Sequence, residues 1–145
     1  MVDLSEATML SLSMEGGAMG RMRSASLGGE LKPIGEIVEA GYFWSFNGKV
    51  DGINGDPLAR LDRGQNVRLK IVNDTAFPHA MHLHGIHFHE VAENGTLGPL
   101  RDTTLLERGQ TREIAFVADN PGQWLLHCHM LSHAASGMMT KIVVG

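Results

Sequence analysis

Between Tyr42 and Gly145 the chain never sustains the 3.6-residue apolar period of a helix. It runs in short β-rich segments closed off by turn residues, and that rhythm limits the fold more than any other feature. The segments are YFWSF before Asn47-Gly48, then 66–72, 82–91, 111–118, 123–129 and 138–144. Asn54-Gly55, Asn94-Gly95 and Pro121-Gly122 add further turns. Many short strands so punctuated predict an all-β protein, a Greek-key sandwich or barrel, with at most a short turn of helix over 130–136. Upstream, residues 7–14 alternate as a strand does, and 15–35, rich in Gly and Ser, read as a loop. The expected division is 1–41, a strand plus a Gly/Ser/Met-rich loop that either joins the same domain or precedes it, and 42–145, one β-domain. A chain of 145 residues can bury a core without disulfide staples.

Charge and composition narrow the partners. A net charge of -4 and the lack of any basic run argue against nucleic acid or an anionic membrane surface, which reward clustered Lys and Arg. The apolar stretches fall short of a bilayer span, and Met1 to Gly20 has neither the charged nor the apolar region of a signal peptide, so the chain as given carries no leader. Its single cysteine, Cys128, has no intrachain disulfide partner. All eight histidines lie between His79 and His133. Of the nine methionines, Met9, Met14, Met19 and Met22 fall in the N-terminal stretch. Soft thioethers there could take Cu(I), but flexible apolar packing is the plainer reading.

Strand parity gives these residues a meaning. In Leu126-His127-Cys128-His129 the side chains alternate between two faces, so His127 and His129 point one way and Cys128 the other. The cysteine and the two histidines therefore serve different sites. The same parity pairs His82 with His84 on another strand, making a set of four imidazoles. Cys128 has candidate partners in His133 five residues on, Met138 ten residues on, and His79 from the earlier segment. Two imidazoles, a thiolate and a weak axial thioether form the ligand set of a blue-copper electron-transfer centre. Zinc is the poorer choice, because structural zinc sites use more thiolates and no methionine. His87 and His89 have no evident partner and read as surface or supporting residues. A cupin-like site built from His82, His84, Glu90 and His127 would leave Cys128, His133 and Met138 without a task.

With these residues in view, the chain resembles the C-terminal cupredoxin domain of bacterial multicopper oxidases of the laccase-like and copper-tolerance type. The resemblance is carried by His79-Ala80-Met81-His82-Leu83-His84-Gly85, by His127-Cys128-His129-Met130-Leu131-Ser132-His133 and by Gly137-Met138-Met139. Trp44-Ser45-Phe46-Asn47-Gly48, Arg101-Asp102-Thr103 and Asn120-Pro121-Gly122-Gln123-Trp124 support it. It implies that His79, Cys128, His133 and Met138 bind type 1 copper, His82 type 2 copper, and His84, His127 and His129 type 3 copper. It implies electron transfer from a donor, through the Cys128 strand, to a trinuclear cluster that reduces dioxygen, in the periplasm or outside the cell. The family commonly has Pro where this chain has Ala80, and some relatives carry an acid where it has Ala134. The family's other two His-x-His pairs come from an N-terminal domain. This chain holds half of that set, so another cupredoxin domain, or a second copy meeting it at the His82/His84/His127/His129 face, would have to complete it. The alternative is a stand-alone blue-copper electron carrier or copper-binding module without oxidase activity.

Overall fold

A computed structural model describes residues 2–17 and 22–145. In chain order its elements are β1 (Thr8–Gly16), β2 (Ser24–Leu27), β3 (Glu30–Pro33), α1 (Ile34–Glu39), β4 (Trp44–Phe46), β5 (Ala59–Leu61), β6 (Asn66–Thr75) and β7 (His79–Leu83). They continue with β8 (Phe88–Val91), β9 (Leu97–Arg101), β10 (Thr103–Leu106), β11 (Thr111–Val117), β12 (Gly122–Cys128), α2 (Leu131–Ala135) and β13 (Met139–Val144). One sheet runs β4-β1-β6-β11-β8-β9 and the other β10-β7-β12-β13-β5. This is the expected all-β sandwich. From β6 to β12 the chain changes sheet at β6–β7, β7–β8, β9–β10, β10–β11 and β11–β12, so strands adjacent in sequence are often not partners.

Alternation builds the core. Along β6, Val67, Leu69 and Ile71 point inward while Arg68 and Lys70 point out. They meet Met81 and Leu83 of β7, Leu126 of β12 and Ile142 of β13 from the facing sheet. β1 lies parallel to β6 over its whole length and adds Leu12 and Met14 to the same core. At Asn47-Gly48 both residues have positive φ, 51° and 80°, and Phe46 and Lys49 exchange backbone hydrogen bonds, as a tight hairpin turn requires.

Two stretches differ from expectation. The segment 15–35 is not a plain loop: β2 and β3 form a hairpin about Gly28-Gly29 (φ 64° and 83°), and α1 follows. Met22, Ala25, Ile37 and Val50 give this flap its own small core. Two consecutive glycines in the left-handed region are a hairpin signal that a Gly/Ser-rich composition conceals. The segment 82–91 is not one strand either. β7 ends at Leu83, the chain turns through Gly85 (φ 74°), and β8 joins the other sheet. A Cβ at residue 85 would overlap the Trp124 ring, and Asn120 ties the corner by donating to the Gly85 carbonyl (2.8 Å) while accepting from the Trp124 indole N–H (2.8 Å).

Candidate metal centre

β7 and β12 run antiparallel with His82 opposite His127 and Met81 opposite Cys128. Residues paired across strands share a face, so Cys128 enters the core beside Met81 while His127 and His82 lie together on the outer face. His79 has the inward parity of Met81, and both His79 and Cys128 are fully buried. His133 arrives differently. After β12 the chain bends and forms α2, whose third residue carries that imidazole back over the cysteine. The loop is then closed by backbone: Met138 N–H donates to the His133 carbonyl (3.1 Å) and Cys128 N–H to the Met138 carbonyl (3.2 Å). Gly137 makes the turn at φ 122°, where a Cβ would overlap the Trp44 carbonyl oxygen. Met138 is fully buried in the same core as Cys128.

The result is a compact triangle. His79 Nδ1 and His133 Nδ1 are 3.2 Å apart, and Cys128 Sγ lies 3.8 Å and 3.7 Å from them. Metal bonds of about 2.0 Å to nitrogen and about 2.3 Å to sulfur, set in a trigonal plane, would put ligand atoms roughly 3.5–3.7 Å apart. The trio fits one ion with almost no adjustment. Burial, and then repulsion from His133, pulls the His79 pKa down to about 4, and burial lowers that of His133. Both imidazoles thus keep a lone pair available at neutral pH. Burial raises the Cys128 pKa, so the thiol holds its proton unless a cation takes the proton's place. The Trp44 ring braces the site, 4.8 Å from each imidazole between centroids, with the Phe77 ring 6.0 Å beyond it. A cleft of about 420 Å³, bordered by Phe43, Trp44, Phe77, Ser132, His133 and Ser136, opens beside His133.

The other four histidines gather on the outer face. Ring centroids are 4.6 Å apart for His82–His84, 5.0 Å for His84–His127, 5.7 Å for His82–His127 and 5.9 Å for His82–His129. Their polar supports are specific. His82 Nδ1 faces the Asp102 carbonyl (2.9 Å) and Thr103 Oγ1 (3.1 Å), which leaves Nε2 free to bind. His127 Nδ1 faces the Cys128 carbonyl (2.7 Å) and therefore donates, so its Nε2 offers a lone pair to His84 Nε2 at 2.8 Å. Burial first, then the neighbouring His82 and His127, lower the His84 pKa.

Other candidates fall elsewhere. His87 is exposed, and His89, half-buried, has Nδ1 2.7 Å from the Gly98 carbonyl; neither joins the quartet. Glu90 belongs to the opposite sheet, where it accepts from Thr104 and faces Arg101 and Arg112, so no cupin-like site forms with the quartet. Among the N-terminal methionines, Met14 and Met22 are buried in different cores, Met9 is exposed, and Met19 lies outside the described residues. Sequence reasoning gave Trp44 no role at the site and did not single out Asn73 and Thr75. The last two stand on the inward row of β6, and Thr75 Oγ1 is 2.9 Å from His79 Nε2. Polar residues continuing the core-facing row of Val67, Leu69 and Ile71 were the available signal.

The family described as multicopper oxidase matches residues 31–145. Multicopper oxidase MmcO of Mycobacterium tuberculosis is 36% identical over 103 residues, covering 71% of this chain and 20% of that protein. A copper resistance protein A homolog of Pseudomonas syringae pv. tomato is 38% identical over 103 residues, covering 71% and 17%. The chain thus spans about a fifth or less of the length of these curated relatives. The crystal structure of Lac15 from a marine microbial metagenome superposes with a TM-score of 0.65 at 38% identity, over 99% of this chain and 28% of that one.

Proposed function

The chain belongs to the multicopper oxidase family, and from that membership we propose that it is a cupredoxin domain of the C-terminal type in which His79, Cys128, His133 and Met138 would hold type 1 copper. Copper bound there supplies one-electron redox chemistry. The protein's contribution is the frame. A buried and a half-buried imidazole converge with a buried thiol in a frame set by packing, which would keep reorganisation small on a change of charge. The Cys128 strand runs by covalent bonds, and by the hydrogen bond from His127 Nδ1–H to the Cys128 carbonyl, from the buried triangle to the outer quartet. On this reading His82 serves type 2 copper and His84, His127 and His129 serve type 3 copper, as half of a trinuclear set.

A second cupredoxin domain, or a second copy of this chain, completes the set by bringing its own histidine pairs to that face. The whole protein then oxidises an electron donor and reduces dioxygen, in the periplasm or outside the cell. In the described residues no helix is long and apolar enough to cross a membrane.

The observation that carries the reading is the triangle of 3.2, 3.7 and 3.8 Å edges. Absorption spectroscopy tests it: copper-loaded protein gains an intense visible thiolate-to-copper band that Cys128→Ser abolishes, and persistence of the band in that variant would end the assignment. The type 1 ligands all come from this one chain, which favours a second reading, an electron carrier that works alone. Sedimentation with copper quantification separates the two. A monomer with one copper that is reduced by donors but not reoxidised quickly by dioxygen supports the carrier.

A further inference from the structure

We propose that Thr75, held in turn by Asn73, is the positioning residue that fixes the tautomer of His79, so that the Nδ1 lone pair faces Cys128 and His133. Asn73 is fully buried, and its side-chain nitrogen lies 2.8 Å from the Phe77 carbonyl, 3.0 Å from that of Glu107 and 3.3 Å from that of Leu106. Carbonyl oxygens only accept, so the amide NH₂ must face them and Oδ1 must face Thr75.

The Thr75 hydroxyl has one proton and four neighbours: Asn73 Oδ1 at 2.7 Å, the Phe77 carbonyl at 3.0 Å, His79 Nε2 at 2.9 Å, and the Phe77 backbone N–H, which donates to it at 3.3 Å. Two of these are oxygens without a proton to give. Were the hydroxyl to donate to His79, both oxygens would confront its lone pairs in a buried space, where each unmade hydrogen bond costs about 1–3 kcal/mol. Donation to Asn73 Oδ1 satisfies that oxygen, the Phe77 carbonyl already accepts from Asn73 Nδ2 at 2.8 Å, and Thr75 Oγ1 is left to face His79 as an acceptor. Nε2 must then carry the imidazole proton. Nδ1 is left bare, 3.2 Å from His133 Nδ1 and 3.8 Å from Cys128 Sγ. The Trp44 ring, edge-on at 4.8 Å and 81°, opposes the 180° ring flip that would put Cδ2 in place of Nδ1 and Cε1 in place of Nε2.

The consequence for metal binding rests on the copper reading above, whereas the tautomer does not, and the experiment separates them. Long-range proton–nitrogen NMR of the copper-free protein reads which His79 nitrogen is protonated; Nε2–H is expected. Thr75→Val removes the hydroxyl at nearly constant shape and should let Nδ1–H appear, with Cu(I) affinity falling roughly 10–100-fold, while Thr75→Ser restores both. Nδ1–H in the unmodified protein overturns the proposal, as does a Thr75→Val protein with unchanged tautomer and affinity. If Thr75→Val does not fold, the spectrum of the unmodified protein still decides. Failure of the unmodified protein to bind copper would sink the copper reading and leave the tautomer result intact.

Discussion

The buried triangle and the outer quartet share two strands, β7 and β12, and little else. Three ligand atoms of the triangle lie within 4.8 Å of one another, in a core closed by Trp44 and by the Gly137 turn. The quartet lies on a sheet face where His127 is buried but His82 and His84 are half-buried and His129 is exposed. Packing accounts for the difference. A site walled by the protein's own core is held in shape by the same burial that folds the chain. Imidazoles on an outer face have only their local hydrogen bonds, such as His82 to the Asp102 carbonyl, until another surface covers them.

If that contrast is right, damage to the two regions has unequal effects. The largest is expected from Gly137→Ala, which sets a Cβ against the Trp44 carbonyl and forces a non-glycine residue to φ 122°. A loss of about 3 kcal/mol or more in urea unfolding should accompany a collapse of the visible copper band. Near-native stability with an intact band would mean that the closing loop is not what shapes the triangle.

Acid offers a second probe, on the copper-free protein. His79 has its pKa held near 4 by burial, against an ordinary value of 6.5, so between those values the unfolded chain takes up a proton that the fold excludes. Stability should fall as the pH drops from about 6.5 to about 4 and level off below, by up to ~3 kcal/mol. His79→Leu should flatten that slope. The lowered His84 pKa acts in the same direction, so His84→Ala trims the slope less. Equal trimming by both variants would erase the distinction between buried and exposed sites.

The smallest effect belongs to His84→Ala combined with His129→Ala. Unfolding free energy should move by less than about 1 kcal/mol and the visible band should keep its position, while the total copper bound falls. A shifted band would show that the two regions are coupled more tightly than two shared strands and a hydrogen bond explain.

Much of this was legible in the chain itself. The opposite facing of Cys128 and its flanking histidines follows from strand geometry, and the register of His127 with His82 displays it. The Asn47-Gly48 turn was equally plain. Other features were hidden because their causes are not local. The β2–β3 flap looked like a loop because its small core is completed by Val50, far along the chain. The break at Gly85 depends on Trp124, and the hold on His79 depends on Glu107 and Leu106 carbonyls reaching Asn73.

The sequence by itself determined that Cys128 and its flanking histidines face opposite ways, because side-chain alternation is covalent and needs no partner. It also marked the chain as all-β, because turn residues act within a few positions of themselves. Only the tertiary structure decided that His79 reaches Cys128 across 49 residues, how closely the three ligand atoms converge, and which hydroxyl governs the histidine's proton. Those depend on the registers between strands and on which sheet each strand joins, and both are set by burial of the common core rather than by any single segment.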